Sequence, residues 1–152
     1  MRQIKRIILH CSATKAGQKV KVNGKEKPVD AAVIKGWHVN SNGWADIGYH
    51  IVVTEAGKIE QGRPISQAGA HTSGHNADSI GICYVGGLDA TGKAHDTRSW
   101  QQTKALFAVV KYYMDIYGLT LADVHCHNEY SSKACPCFQI DEFRRKFKEF
   151  YE

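Results

Sequence analysis

The side chains best suited to chemistry in this sequence are histidines and cysteines, and they gather at two distant places. His10 closes an isoleucine-rich run and precedes Cys11, while the string HCHNEYSSKACPC carries His125, Cys126, His127, Cys135 and Cys137. Imidazole and thiolate are donors that hold zinc; a catalytic site uses three protein ligands and leaves one position open, and a structural site closes all four. Two sets fit these residues. His10, His127 and Cys135 make an open site assembled across the fold, whereas Cys126, His127, Cys135 and Cys137 close a tetrahedron. Spacing weights the two equally, because a site built from distant segments leaves no local signature. Taken singly, a strand-end histidine is usually a polar residue with satisfied hydrogen bonds, and a lone cysteine a small buried hydrophobe.

The elements that must position these groups follow from pattern. Ile4 to His10 reads as a short buried strand. Asn23-Gly24, within the polar stretch Lys15 to Pro28, signals a two-residue hairpin and hence a small peripheral ribbon. Asp30 is placed to cap a helix with Val33, Ile34 and Trp37 on one face, ending near Asn40. Ile47 to Thr54 reads as a strand, Lys58 to Gln61 as its hairpin partner, and Ser79 to Val85 as a third strand before Gly86-Gly87. Ala68 to Asp78, rich in Gly, His and Asn, has no periodicity, and irregular polar segments are where sites tend to sit.

Ser99 and Gln102 form a capping box ahead of Leu106, Val109, Val110, Tyr113 and Tyr117 at helical spacing, with Gly118 as the stop. Leu121 to His125 suggests a short last strand. Asp141 is placed to cap a terminal helix with Phe143, Phe147 and Phe150 on one face. Strands interleaved with helices predict an α/β fold, a mixed central β-sheet flanked by helices, in a single domain over residues 1–152.

Composition bounds the partners. The chain has 152 residues, 43% hydrophobic and 23% charged, which is ordinary for a soluble globular protein. Ile4 and Ile7 to Leu9, broken by Lys5 and Arg6, are too short a run for an export signal or a spanning helix. Cytoplasmic synthesis without a membrane association is therefore expected, as is a monomer. Five cysteines, an odd number in a chain large enough to need no staples, suit free thiols. A net charge of +5 favours anionic partners, acidic polymers and nucleic acid alike. The densest basic run, Arg144 to Lys148, is interrupted by Phe147 and reads as a solvated helix face.

Four strings in order, ILHCSAT, GWADIGYHIVV, GAHTSGHNADSIGICYVGG and HNEYSSKACPCF, resemble the type-2 N-acetylmuramoyl-L-alanine amidases, and within them the short amidase-type phage lysozymes. The resemblance runs from about Ile7 to Phe138. It implies the fold of that family, one zinc ion on His10, His127 and Cys135, and Tyr49 and Lys133 as the catalytic pair. Within HCHNE, His127 rather than His125 is chosen by its place before Cys135. The chain departs from the phage pattern in a longer Lys15 to Pro28 segment and in Cys137, where a serine is usual.

The implied activity is hydrolysis of the amide bond between N-acetylmuramic acid and L-alanine in peptidoglycan, an endolysin-like attack on the cell wall after release or delivery. One thiolate and two neutral imidazoles leave zinc a net positive charge, which lowers the pKa of water and polarises a carbonyl. Lys133 and the Tyr49 hydroxyl are then placed to stabilise the oxyanion. His71, Asn76 and Ser79 are candidate substrate-binding residues, with a solvent-facing loop histidine, an Asx turn and a strand start as their ordinary readings. His50, next to Tyr49 on a strand, is expected to pack or support rather than ligate. His38, His75 and His95 read as surface or helix positions.

Two other functions compete. Recognition proteins related to these amidases keep the groove but lose the zinc cysteine, and Cys135 is present here. A regulator that binds a polymerase or another partner needs a basic stripe with interleaved aromatics, which the sequence lacks, so no nucleic-acid partner is expected.

Overall fold

Alternation along the strands decides which groups face the helices and which face the site. The computed structural model describes residues 1–152. Nine strands are present: β1 (Arg6–Cys11), β2 (Thr14–Lys15), β3 (Lys19–Val22), β4 (Lys25–Pro28), β5 (Ile51–Val53), β6 (Ile59–Gln61), β7 (Ser79–Tyr84), β8 (Gly87–Leu88) and β9 (Val124–Cys126). Five of them form the central sheet in the order β6-β5-β7-β1-β9. β5, β7, β1 and β9 run parallel, and β6 adds an antiparallel edge, so the sheet is mixed as the interleaved pattern predicts.

On one face, Ile7 and Leu9 of β1, Ile80, Ile82 and Tyr84 of β7, and Val124 and Cys126 of β9 pack in the main core. The helices α2 (Trp100–Tyr117) and α3 (Ile140–Tyr151) cover that face through Leu106, Phe107, Val110, Phe143 and Phe147. The alternate residues Ile8 and His10, and Gly81 and Cys83, face the other way. There the helix α1 (Ala31–Gly36) buries Val33 and Ile34 against Val52 and Val85 in a smaller cluster. His10 is therefore a strand residue turned away from the main core, on the side that α1 covers only in part.

The cap and turn signals act as written in the sequence. The Asp30 side chain accepts from the Val33 amide, and the Ser99–Gln102 box is closed in both directions. Asn23 and Gly24 both take positive φ, 53° and 77°, the requirement of the tight turn between β3 and β4.

Boundaries differ where tertiary contacts intervene. The regular strand begins at Ile51 rather than Ile47. A π-helical turn, Trp37–Ser41, continues α1, and Leu121–Asp123 is a 3-10 turn leading into β9. Asp141 does not cap α3: Ile140 docks in the core and draws the start back to Gln139, leaving Asp141 and Glu142 in the first turn, where their charge suits the helix N-terminus. Phe143 and Phe147 are buried, but Phe150 is 41% exposed beside Trp100. The short parallel pair of β2 with β8 had no signal in the sequence.

Candidate metal centre

His10 lies near the carboxyl end of β1, and His127 directly follows the carboxyl end of its parallel neighbour β9. This is the rim of a parallel sheet where ligand sites form. Cys135 comes from the loop after His127. That loop is tied down by Tyr84, whose hydroxyl donates to the Pro136 carbonyl at 2.7 Å, and by Asn128, which donates to the Phe138 carbonyl at 3.1 Å.

One ligand atom from each of His10, His127 and Cys135 lies within 4.8 Å of the others. His10 Nδ1 is 3.9 Å from Cys135 Sγ. Zinc bonds of ordinary length in a tetrahedron put a nitrogen and a sulfur ligand about 3.5 Å apart, so the pair is close to a liganding separation. His127 Nδ1 is buried and has no hydrogen-bond partner in the protein, a vacancy in bonding that a cation satisfies. The Cys11 amide donates to Cys135 Sγ at 3.2 Å, the kind of support a thiolate ligand needs. These residues fit a zinc ion.

The closed alternative is not assembled. His10, His127 and Cys135 are the only group of this kind, Cys126 is buried in the main core, and Cys137 Sγ sits 4.0 Å from Cys11 Sγ. All five cysteines are free thiols. His125 is engaged elsewhere, its Nδ1 3.2 Å from Glu129 Oε1.

Electrostatics keep the imidazoles in their ligand form. Burial, with the neighbouring His71 and His127, holds the His10 pKa well below its ordinary value, and burial followed by the Lys133 charge lowers that of His127. Tyr49, its ring 5.2 Å from that of His10, has its pKa raised well above the phenol range by burial first and then by Cys83 and Cys135. It therefore stays a neutral hydroxyl donor. Lys133 is exposed on the rim of a groove that also presents His127, His71, Asn76, Tyr130 and Trp44.

The three substrate-binding candidates share one small network. His71 Nδ1 lies 2.8 Å from His10 Nε2, and His71 Nε2 lies 3.1 Å from Ser79 Oγ. Asn76 Oδ1 accepts from the amides of His71 and Thr72, both at 2.9 Å. His71 and Asn76 border the groove, whereas Ser79 is fully buried and reaches it only through His71. His50 supports as expected: its Nδ1 accepts from the Gly81 amide at 3.0 Å and its Nε2 lies 2.8 Å from the Gln67 carbonyl.

Three further residues shape the site with little or no signal in the sequence that marks them. His38, read as a surface or helix position, accepts the Gly48 amide at 2.9 Å on Nδ1 and packs its ring against Trp44 and Tyr49, fixing the loop that carries Tyr49. Buried Thr72 places Oγ1 2.9 Å from His71 Nδ1 and 3.3 Å from His10 Nε2; its adjacency to His71 was the only hint. Cys11 acts through its backbone amide, which no side-chain pattern reveals.

Known proteins share both sequence and fold. The family model described as N-acetylmuramoyl-L-alanine amidase matches residues 1–138. An endolysin of Escherichia phage T7 is 36% identical over 141 residues, 92% of this chain and 85% of that protein. An endolysin of Enterobacteria phage K11 is 35% identical over 135 residues, 89% of this chain and 82% of that one. Among solved structures, the N-acetylmuramoyl-L-alanine amidase LysC from Clostridium intestinale URNW superposes with a TM-score of 0.73 at 26% identity, covering 97% of this chain and 87% of that one. Drosophila PGRP-LB, at 20% identity and a TM-score of 0.67, shares the fold. With the family's motifs carried in order on a matching fold, the chain belongs to the N-acetylmuramoyl-L-alanine amidase family.

Proposed function

We propose that this chain performs its family's reaction, hydrolysis of the amide bond between N-acetylmuramic acid and L-alanine in bacterial peptidoglycan, with one zinc ion held by His10, His127 and Cys135. The observation that carries this reading is the convergence of three suitable donors in one corner, with His127 Nδ1 buried and otherwise unpartnered. Three protein ligands leave a fourth position open, the arrangement of a catalytic rather than a structural zinc. When bound, zinc supplies Lewis acidity that lowers the pKa of water toward neutrality and polarises a carbonyl.

The chain's own groups do the rest. Tyr49, held as a neutral phenol, donates a hydrogen bond to the oxyanion that develops on the amide carbonyl, and the Lys133 ammonium faces the same charge from the rim. Either group can relay a proton to the leaving amine. The groove holds the stem peptide against His71 and Asn76, with Ser79 acting from behind His71. Residues 1–152 work as a single domain and a monomer, without a nucleic-acid partner, on the cell wall after release or delivery. No helix is long and apolar enough to cross a membrane.

Metal analysis of the purified protein is expected to give about one equivalent of zinc, and Cys135→Ala is expected to lose it. Full zinc in that variant overturns the ligand set. Digestion of purified peptidoglycan is expected to release new alanine amino termini without new reducing sugar ends; reducing ends instead would mark a glycosidase.

A further inference from the structure

Behind the metal centre, His71 and Ser79 form a chain of polar contacts that ends in the protein interior, and its direction can be assigned. His10 presents Nδ1 to Cys135 Sγ at 3.9 Å, and with the proposed zinc bound there the lone pair belongs on Nδ1 and the ring proton on Nε2. Nε2 lies 2.8 Å from His71 Nδ1, which must then accept, so the His71 proton sits on Nε2. That nitrogen lies 3.1 Å from Ser79 Oγ, whose oxygen accepts. With the metal on Nδ1 the line runs one way, and reversing any single atom breaks the contact next to it.

We propose that His71 is a positioning residue for the metal centre, fixing the tautomer and ring orientation of His10, with Ser79 fixing His71 in turn. This rests on the zinc reading above and gives His71 and Ser79 a task beyond contact with the stem peptide. Local structure is arranged for it. Thr72 Oγ1 braces the same two nitrogens, at 2.9 and 3.3 Å. Two amides onto Asn76 Oδ1 fix the backbone of residues 71 and 72. Gly81 makes room: a Cβ there would lie 2.5 Å from the His71 ring, so no larger residue fits beneath it. Metal-ligating histidines generally donate their second ring nitrogen to a partner that holds them in place, and losing that partner costs about 10–100-fold in metal affinity.

The test measures zinc affinity by competition with a chromogenic chelator, alongside KM for a soluble muramyl-peptide at saturating zinc. His71→Ala is expected to weaken zinc binding about 10–100-fold beyond any rise in KM from lost contact with the stem peptide, His71→Gln to recover part of the zinc loss through its carbonyl acceptor, and Ser79→Ala, which does not reach the groove, to show a smaller loss with KM unmoved. Nitrogen NMR of the wild-type protein, which needs no variant, is expected to report the Nε2-protonated tautomer for both His10 and His71. Wild-type zinc affinity in His71→Ala with a raised KM overturns the proposal in favour of substrate contact, and a proton on Nδ1 of His10 overturns it directly. A wild-type chain that binds no zinc at all would instead sink the metal reading on which it rests.

Discussion

In the reaction proposed above, the oxyanion's stabilisation is divided between the half-buried Tyr49 phenol and the exposed Lys133 ammonium. Tyr49→Phe removes only the hydroxyl and leaves the ring that packs beside His10 and His38. It is expected to lower kcat about 10²–10³-fold with zinc content unchanged, measured as release of alanine amino termini at saturating zinc. A rate within a few-fold of wild type removes Tyr49 from the chemistry. Residue types alone identified donors suited to zinc, but they left His10, His127 and Cys135 level with a closed cysteine-rich set. The deciding facts are tertiary. Cys126 turns into the main core by strand alternation, and His10 meets Cys135 only because β1 and β9 are neighbours in the sheet. Resemblance to the family's motifs supplied in sequence what spacing did not.

At the scale of elements, α2 is joined to the end of β7 by one buried side chain. Gln102, 1% exposed, accepts the Ser99 amide at 3.0 Å and donates to the Val85 carbonyl at 2.8 Å. Gln102→Ala leaves the buried Val85 carbonyl without a donor and the half-buried Ser99 amide without its side-chain acceptor, which costs about 2 kcal/mol, or roughly 4–8 °C in Tm for a chain of this size. Thermal unfolding checks it, and a shift below about 1 °C would show that the Val85 carbonyl finds another donor. The capping box was legible because it is local: two residues, three apart, ahead of an apolar run. Its second bond, to Val85, was not, because it joins segments 17 residues apart. The same contrast explains the misplaced starts. Ile47 to His50 reads as strand by composition, yet its backbone bends to bring Tyr49 to the site, and Asp141 yields the cap position to Gln139 because burial of Ile140 outweighs a local preference.

Over the whole molecule, the buried histidines give the fold a common sensitivity to acid. Burial lowers the pKa of His50 from 6.5 to about 4 and that of His71 to about 3, while in the unfolded chain both return to the ordinary value. Because the folded values lie below the unfolded one, the unfolded state binds protons first as pH falls. The stability these groups contribute is complete above about pH 6.5 and is lost progressively toward pH 4 for His50 and pH 3 for His71. For His50 alone the difference amounts to about 3 kcal/mol. Release of the proposed zinc would add to the acid loss, so the measurement is made with a chelator present. Tm of the apo-protein is expected to fall steeply between pH 7 and 4, and His50→Gln, less stable at pH 7, is expected to show a visibly shallower fall. Parallel curves for the two proteins would mean that His50 takes its proton without opposing the fold, and that the acid sensitivity resides in His10 and His71 at the metal centre itself.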